Sequence, residues 1–279
     1  MSRGDGSMIA VEVAGEPGGH PVLFCHGLAD SRLSVHLFAP AARKLGLRLV
    51  APDRPGIGGT DPRRLGRLAD WVEDAALVLD ALDGGPAEVL GVSAGGSFAA
   101  ACAARLPGRV RTLTLVSALG LPGWPTGGMA FGQRLALHPA RHAPAFGGWF
   151  LGRLAALARR SPELFLRVAT SEMPDADRHA IEQPGIREAF LTGYVEAFRH
   201  GSGGVAQDLR LLTRPWGFEL GSITVPVSIH HGEADTTVPP QHARLFAQAI
   251  PAAQLRLHPR HGHFSILSAA QEILASLTP

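Results

Sequence analysis

Ser93 lies in the run Gly91-Val92-Ser93-Ala94-Gly95, between a short apolar segment and an alanine-rich one. A serine hydroxyl is a useful nucleophile only when a base takes its proton and a third group orients that base. Ala87-Glu88-Val89-Leu90 follows the turn signal Gly84-Gly85-Pro86 and predicts a buried strand. Gly96 to Ala104 predicts a helix, stopped by Leu106-Pro107. Strand, Gly-x-Ser-x-Gly and helix in succession predict a sharp, strained turn with the serine at its apex. Gly91, Gly95 and Gly96 are small enough to let strand and helix approach. In a chain with 34 glycines the five-residue pattern alone is weak, and its flanks give it weight.

Partners for the serine lie at two later strand ends. His231-Gly232-Glu233-Ala234-Asp235 follows a strand ending at His230 and puts Asp235 on a loop, where sites of open α/β sheets lie. The next strand ends at His258, and His263 stands beyond it at the entrance of the last helix. Asp235 as orienting acid and His263 as base is the expected pairing. Glu233 is the fallback acid and His261 the rival base. His230, His231 and His258 read as loop or strand-end residues. No His-Glu-x-x-His occurs among the 13 histidines, and His138/His142 have no partner carboxylate motif, so no metal and no cofactor are expected. A tetrahedral oxyanion needs two backbone donors. These are expected at Ala94, next after the serine, and at Leu28 in His26-Gly27-Leu28. Gly27 is expected to relieve backbone strain there, and His26 to support the loop by hydrogen bonding.

These residues need a frame. Ile9–Val13, Val22–Cys25, Leu47–Ala51, Ala87–Leu90, Val110–Val116, Pro226–His230 and Gln254–Leu257 read as strands. Leu33–Leu45, Ala69–Leu82, the stretch after Ser93, Pro240–Ile250 and Phe264–Leu277 read as helices. Strands alternating with helices predict a mostly parallel sheet with helices on both faces. From 118 to 212 the rhythm breaks: a Gly/Pro-rich entrance leads to helical segments Trp149–Arg160, Pro162–Glu172 and Ile186–His200. Residues 1–117 and 213–279 are therefore expected to form the core, and 118–212 a helical insertion.

Composition prunes the alternatives. A chain of 279 residues, 46% hydrophobic and 18% charged, can bury one large core. A net charge of +2 gives no reason to expect nucleic acid as partner. Lys44 is the only lysine, so there is no Walker A loop and no promising Schiff-base residue. Asparagine is absent, which removes a Cys-His-Asn triad. Cys25 and Cys102 have no metal or redox spacing and read as small core residues. No apolar leader segment and no membrane span is visible, so the cytoplasm is expected.

Phe24-Cys25-His26-Gly27, Asp53 to Asp61, the Ser93 turn, His231 to Asp235 and Gly262-His263-Phe264 together resemble the α/β-hydrolase superfamily, in its esterase and lipase-like branch. The resemblance implies the chain order Ser, Asp, His for a triad, a structural loop at Asp53–Gly59, and a helical cap for 118–212. The family sheet commonly opens with an extra hairpin, for which this N-terminus is too short, so the first strand is expected to be truncated or absent. Serine at the elbow, where dehalogenases and epoxide hydrolases of the superfamily have aspartate, speaks against those activities. The function expected is hydrolysis of a small to medium apolar carboxylic ester, thioester or lactone through an acyl-enzyme on Ser93. Trp124, Met129, Phe131, Trp149, Phe150 and Tyr194 are candidates for the pocket wall. C–C bond hydrolysis and acyl transfer would use the same residues. A ligand receptor without turnover, or a non-hydrolytic cyclase, stands as the alternative from another class. The partner expected is a small-molecule substrate; oligomeric state is left open.

Overall fold

In the computed structural model, which describes residues 1–82, 85–120, 123, 126–131, 134, 142–251 and 253–277, seven strands form one sheet. They are β1 (Val11–Gly15), β2 (His20–Cys25), β3 (Leu47–Pro52), β4 (Ala87–Val92), β5 (Val110–Val116), β6 (Val227–Gly232) and β7 (Ala253–His258). Their order is β1-β3-β2-β4-β5-β6-β7, with β1 antiparallel to β3 and all other pairs parallel. The central strands are continuous apolar runs because helices cover both of their faces. Phe24, Leu49, Leu90 and Val116 face one apolar layer, while Leu23, Val89, Leu113 and Ile229 face the other. Alternate side chains of a strand point to opposite faces, so each run supplies both layers.

The sheet runs antiparallel only at the β1 edge. Upstream of β1 the chain adds one isolated bridge, Ser2 with Met8, and no further strand among the described residues. Residues 1–9 fold back on themselves around that bridge, with Ile9 N–H donating to the Met1 carbonyl, and add no strand to the sheet.

Helices depart from the expected spans where local chemistry intervenes. The stretch expected as one helix from Leu33 to Leu45 divides at Phe38 into a 3-10 turn, Arg32–Leu37, and helix α1, Ala39–Lys44. Pro40 is the cause: it lacks an N–H and fits only the first turn of a new helix. Helix α2 (Val72–Asp80) follows a 3-10 turn at Leu68–Trp71, and α3 (Gly95–Arg105) follows β4. The C-terminal segment likewise divides into a 3-10 turn, Ser265–Ala269, and the helix Ala270–Ala275.

Between β5 and β6 lie α4 (Pro144–Arg160), α5 (Pro162–Thr170), α6 (Asp175–Glu182), α7 (Pro184–Ala197) and α8 (Gly203–Leu212). Helices α6 and α8 were not among the segments read from sequence. The insertion has a small apolar centre of its own around Phe165, Leu166, Met173 and Ile181. Ala155, Ala197, Phe198, Val205 and Leu209 instead join the same apolar layer as the sheet. No described helix is long and apolar enough to cross a membrane. Cys25 and Cys102 are buried, free thiols of the core.

Candidate active site

Ser93 follows β4 directly and has φ +54°, a left-handed conformation that costs a residue with a Cβ about 1–2 kcal/mol. The neighbours hold it there: Ser93 N–H donates to the Val116 carbonyl, and the Ser93 carbonyl accepts from Gly96 and Leu119. A methyl group on Gly91 would meet Ala99 Cβ at 2.6 Å and Gly96 Cα at 2.7 Å. One on Gly95 would overlap the carbonyl oxygens of Cys25 and His26, and one on Gly96 would meet Ala118 Cβ at 2.5 Å. The glycines are therefore needed for close approach, and the strain falls on the serine.

His263 Nδ1 lies 2.8 Å from Asp235 Oδ2. The carboxylate fixes the tautomer with its proton on Nδ1 and leaves Nε2 as acceptor. Asp235 is held in turn by the N–H groups of Thr237 (2.9 Å) and Val238 (2.7 Å). His231, whose Nε2 donates to the Val238 carbonyl, stands 3.4 Å from the same carboxylate. Burial pushes the Asp235 carboxyl up, but the His263 charge and hydrogen bond, with His231 and the Val238 N–H, leave it below its ordinary value. For His263 burial favours the neutral ring. The Asp235 charge and hydrogen bond, joined by the charge of Asp177, outweigh this and raise it. The rivals lie elsewhere. Glu233 is exposed, and His261 is bonded to the Pro259 carbonyl and the Ser268 hydroxyl.

Leu28 lines the cavity with Ser93, and Ala94 follows the serine in the chain. Among the described residues no acceptor is assigned to either N–H, although Ala94 is fully buried. A buried donor without an acceptor costs free energy unless a ligand supplies one. His26 supports the loop: its Nδ1 lies 3.0 Å from the Gly27 carbonyl, and its Nε2 accepts from the Arg54 N–H at 3.4 Å. The expected role of Gly27 needs correction. The positive φ falls on Ala29 (+52°), and a Cβ on Gly27 would have ordinary room, 3.6 Å from Ser93 Cβ. The bend was displaced two residues along the loop, where no glycine marks it.

Three acidic groups and one arginine were not singled out from sequence. Arg54 donates to the carbonyls of His26 and Gly27, at 2.7 Å each, and pairs with Asp208 of α8 at 2.8 Å. Asp177 of α6 accepts from the N–H groups of His263 (2.7 Å), Phe264 (3.1 Å) and Ser265 (2.9 Å), and from the Ser265 hydroxyl. Both carboxylates come from the inserted helices and hold loops of the sheet. Their partners are far away in sequence, so nothing local distinguishes them from surface acids. Asp30 is the third.

Ser93 and His263 line a cavity of about 350 Å³ between the sheet and the inserted helices. Of the six aromatic and methionine candidates, Phe150 and Tyr194 line it. Met129 does not, being packed in the core. Phe131 (63% exposed) and Trp149 (55% exposed) face away, the latter stacked on Phe146. Trp124 lies outside the described residues. Residue type does not reveal which aromatics of a helix turn inward: on α4, Phe150, Leu151 and Leu154 line the cavity, while Phe146 and Trp149 are exposed. Phe165, Phe190 and Met173 of the insertion also form wall, as do Phe38 and Val238 of the core.

Residues 20–270 match the sequence profile described as alpha/beta hydrolase fold. The 2-hydroxymuconate semialdehyde hydrolase of Pseudomonas putida is 28% identical over 259 residues, which cover 91% of this chain and 84% of that protein. The poly(3-hydroxyalkanoate) depolymerase of Ectopseudomonas oleovorans is 29% identical over 269 residues, covering 93% and 83%. A solved thermophilic esterase from Thermogutta terrifontis superposes with a TM-score of 0.68 at 22% identity, covering 96% of this chain and 92% of that one, a likeness of fold. Sheet order, the strained serine after β4 and the profile match agree: the chain belongs to the alpha/beta hydrolase fold family.

Proposed function

We propose that this α/β-fold hydrolase is a cofactor-free serine esterase acting, in the cytoplasm, on a neutral, largely apolar ester, thioester or lactone of small to medium size. The observation that carries the reading is the strained Ser93 in the wall of the same cavity as His263, with Asp235 bonded behind the imidazole. In this reading Ser93 Oγ attacks the carbonyl carbon while His263 Nε2 takes its proton. Asp235 holds the imidazolium. The N–H groups of Leu28 and Ala94 receive the oxyanion. His263 returns the proton to the leaving alcohol or thiol, and water then releases the acid by the same steps in reverse. Residues 118–212 serve as the cap over the cavity.

Cleavage of a C–C bond is the second reading, favoured by the similarity to the 2-hydroxymuconate semialdehyde hydrolase. That substrate, as named, is a carboxylate. The described lining residues include no lysine or arginine to receive one, but do include Asp30 and Glu172. Bringing a further carboxylate into an apolar cavity beside two others is costly, which favours the neutral ester. Labelling with a fluorophosphonate, located by mass spectrometry, tests the reading. One adduct on Ser93, absent in Ser93→Ala and strongly slowed in His263→Ala, is expected; a folded wild type that reacts with neither this nor a smaller phosphonate would refute it.

A further inference from the structure

Asp30 is a carboxylate placed where an apolar ester gives no reason for one. It lines the cavity together with Ser93. The point a Gly27 Cβ would occupy lies 3.6 Å from Ser93 Cβ and 3.7 Å from Asp30 Oδ2, so the carboxylate stands close to the reacting centre. Its orientation is built in. Ala29, just before it, has φ +52°, a conformation retained at a cost. Asp30 Oδ1 accepts from the Ser31 N–H at 2.8 Å. Across from it stands Gly193, inside α7, and a Cβ there would come within 2.5 Å of the same oxygen. Glycine inside a helix is destabilising relative to alanine, so the helix gives up stability at the point where it makes room for this oxygen. Oδ1 is thus enclosed, and Oδ2 lies toward Gly27 and Ser93.

Burial raises the Asp30 carboxyl to about 6, against the opposing pull of the Ser31 and Gly27 N–H groups, the Ser34 hydroxyl and the Arg54 guanidinium. The charged and titratable groups around it are Arg54 behind the loop, His263 and Glu172 on the cavity wall, and from α7 the Tyr194 hydroxyl, which donates to the Leu151 carbonyl, while α7 meets the carboxylate itself with Gly193. A carboxylate has about four acceptor positions, and these neighbours leave room for another donor.

We propose that Asp30 is a specificity-determining residue that accepts a hydrogen bond from a hydroxyl group carried by the substrate near its reacting carbonyl, so that the preferred ester is hydroxylated and uncharged. The proposal rests on the serine-esterase reading and adds the chemistry of the substrate to it. A hydroxyl fits better than an ammonium group because the rest of the wall is mostly apolar and an ammonium ion loses far more hydration on entry. An enzyme site that bonds a substrate hydroxyl rejects the analogue lacking it, because its own polar group is then left unpaired.

The test uses matched ester pairs, 3-hydroxybutyrate against butyrate on one alcohol, and a hydroxyethyl against an ethyl ester of one acid. The readout is the ratio of kcat/KM within each pair, for wild type, Asp30→Asn and Asp30→Leu. Wild type is expected to favour the hydroxylated member of one pair by about tenfold or more, the pair identifying whether the acyl or the alcohol side carries the group. The ratio should fall toward unity in Asp30→Leu and be partly kept in Asp30→Asn. In wild type it should rise with pH through about 6 as the carboxylate forms, whereas the ionisation of His263 cancels from it. If Asp30 merely held its loop, both members of a pair would slow together and the ratio would not move. That outcome, or a wild-type ratio near unity in both pairs, would overturn the proposal, as would a stronger preference for an aminoalkyl ester. A wild type that turns over no ester and takes no adduct at Ser93 would remove the esterase reading itself, and the proposal with it. Asp30→Asn should also melt above wild type at pH 8 and converge with it near pH 4, showing that the variant is folded.

Discussion

Asp177 illustrates how a single residue acts on the proposed base without touching its ring. It receives the main-chain N–H of His263 and of the next two residues, and its charge adds to that of Asp235 in raising the imidazole. A base must be neutral to act, so activity should climb as pH rises through the raised His263 value. The effect on stability has the opposite sense. A histidine raised on folding adds stability that is complete below its ordinary value and is lost as pH climbs through the raised one. Asp177→Asn removes one of the raising charges. Its acid limb in kcat/KM is expected to move to lower pH, with a fall in kcat from the looser loop; a pH–rate profile with an unmoved limb would show that Asp177 serves the backbone alone.

At the scale of elements, Arg54, just after β3, links α8 to the loop after β2 through a buried ion pair with Asp208. Arg54 and Asp208 are 1% and 2% exposed at their side chains, and Arg54 also stands 4.4 Å above the Phe98 ring. Removing one partner of such a pair leaves a buried charge and typically costs about 3–5 kcal/mol, whereas replacing both with apolar residues is often near neutral. Asp208→Leu alone should therefore lower stability by about that amount, and Arg54→Met with Asp208→Leu should restore most of it, measured by denaturant unfolding. Activity should not return in the double variant, because the carbonyls of His26 and Gly27 lose the guanidinium that holds them. Restored turnover would mean that the loop carrying Leu28 needs no such support.

For the molecule as a whole, the cavity between sheet and insertion sets what can be accepted. Its volume of about 350 Å³ is at the small end for ligand sites, which suits a short acyl chain. Its described wall offers carboxylates and no lysine or arginine. In a series of esters of equal length, kcat/KM for a neutral butyrate should exceed that for a hemisuccinate, whose far end is charged, by about tenfold or more. A preference for the anion would favour the C–C hydrolase reading, since it would require a cationic contact.

The elements were legible in the sequence to the degree that their signals are local. The parallel strands were readable from continuous apolar runs, the turn at Ser93 from glycines on both sides of it, and Asp235 and His263 from their places just beyond two strand ends. What the sequence left open depends on groups distant along the chain. Asp177 and His263 are 86 positions apart, and Arg54 and Asp208 are 154 apart. The inward faces of the inserted helices follow from how α4 packs on α8 and α7 on the turn Arg32–Leu37, not from which residues are aromatic. Only tertiary structure enclosed Asp30 between Ser31 and Gly193. Periodicity determines an element because each residue interacts with its near neighbours, whereas a cavity wall is decided by the packing of elements against one another.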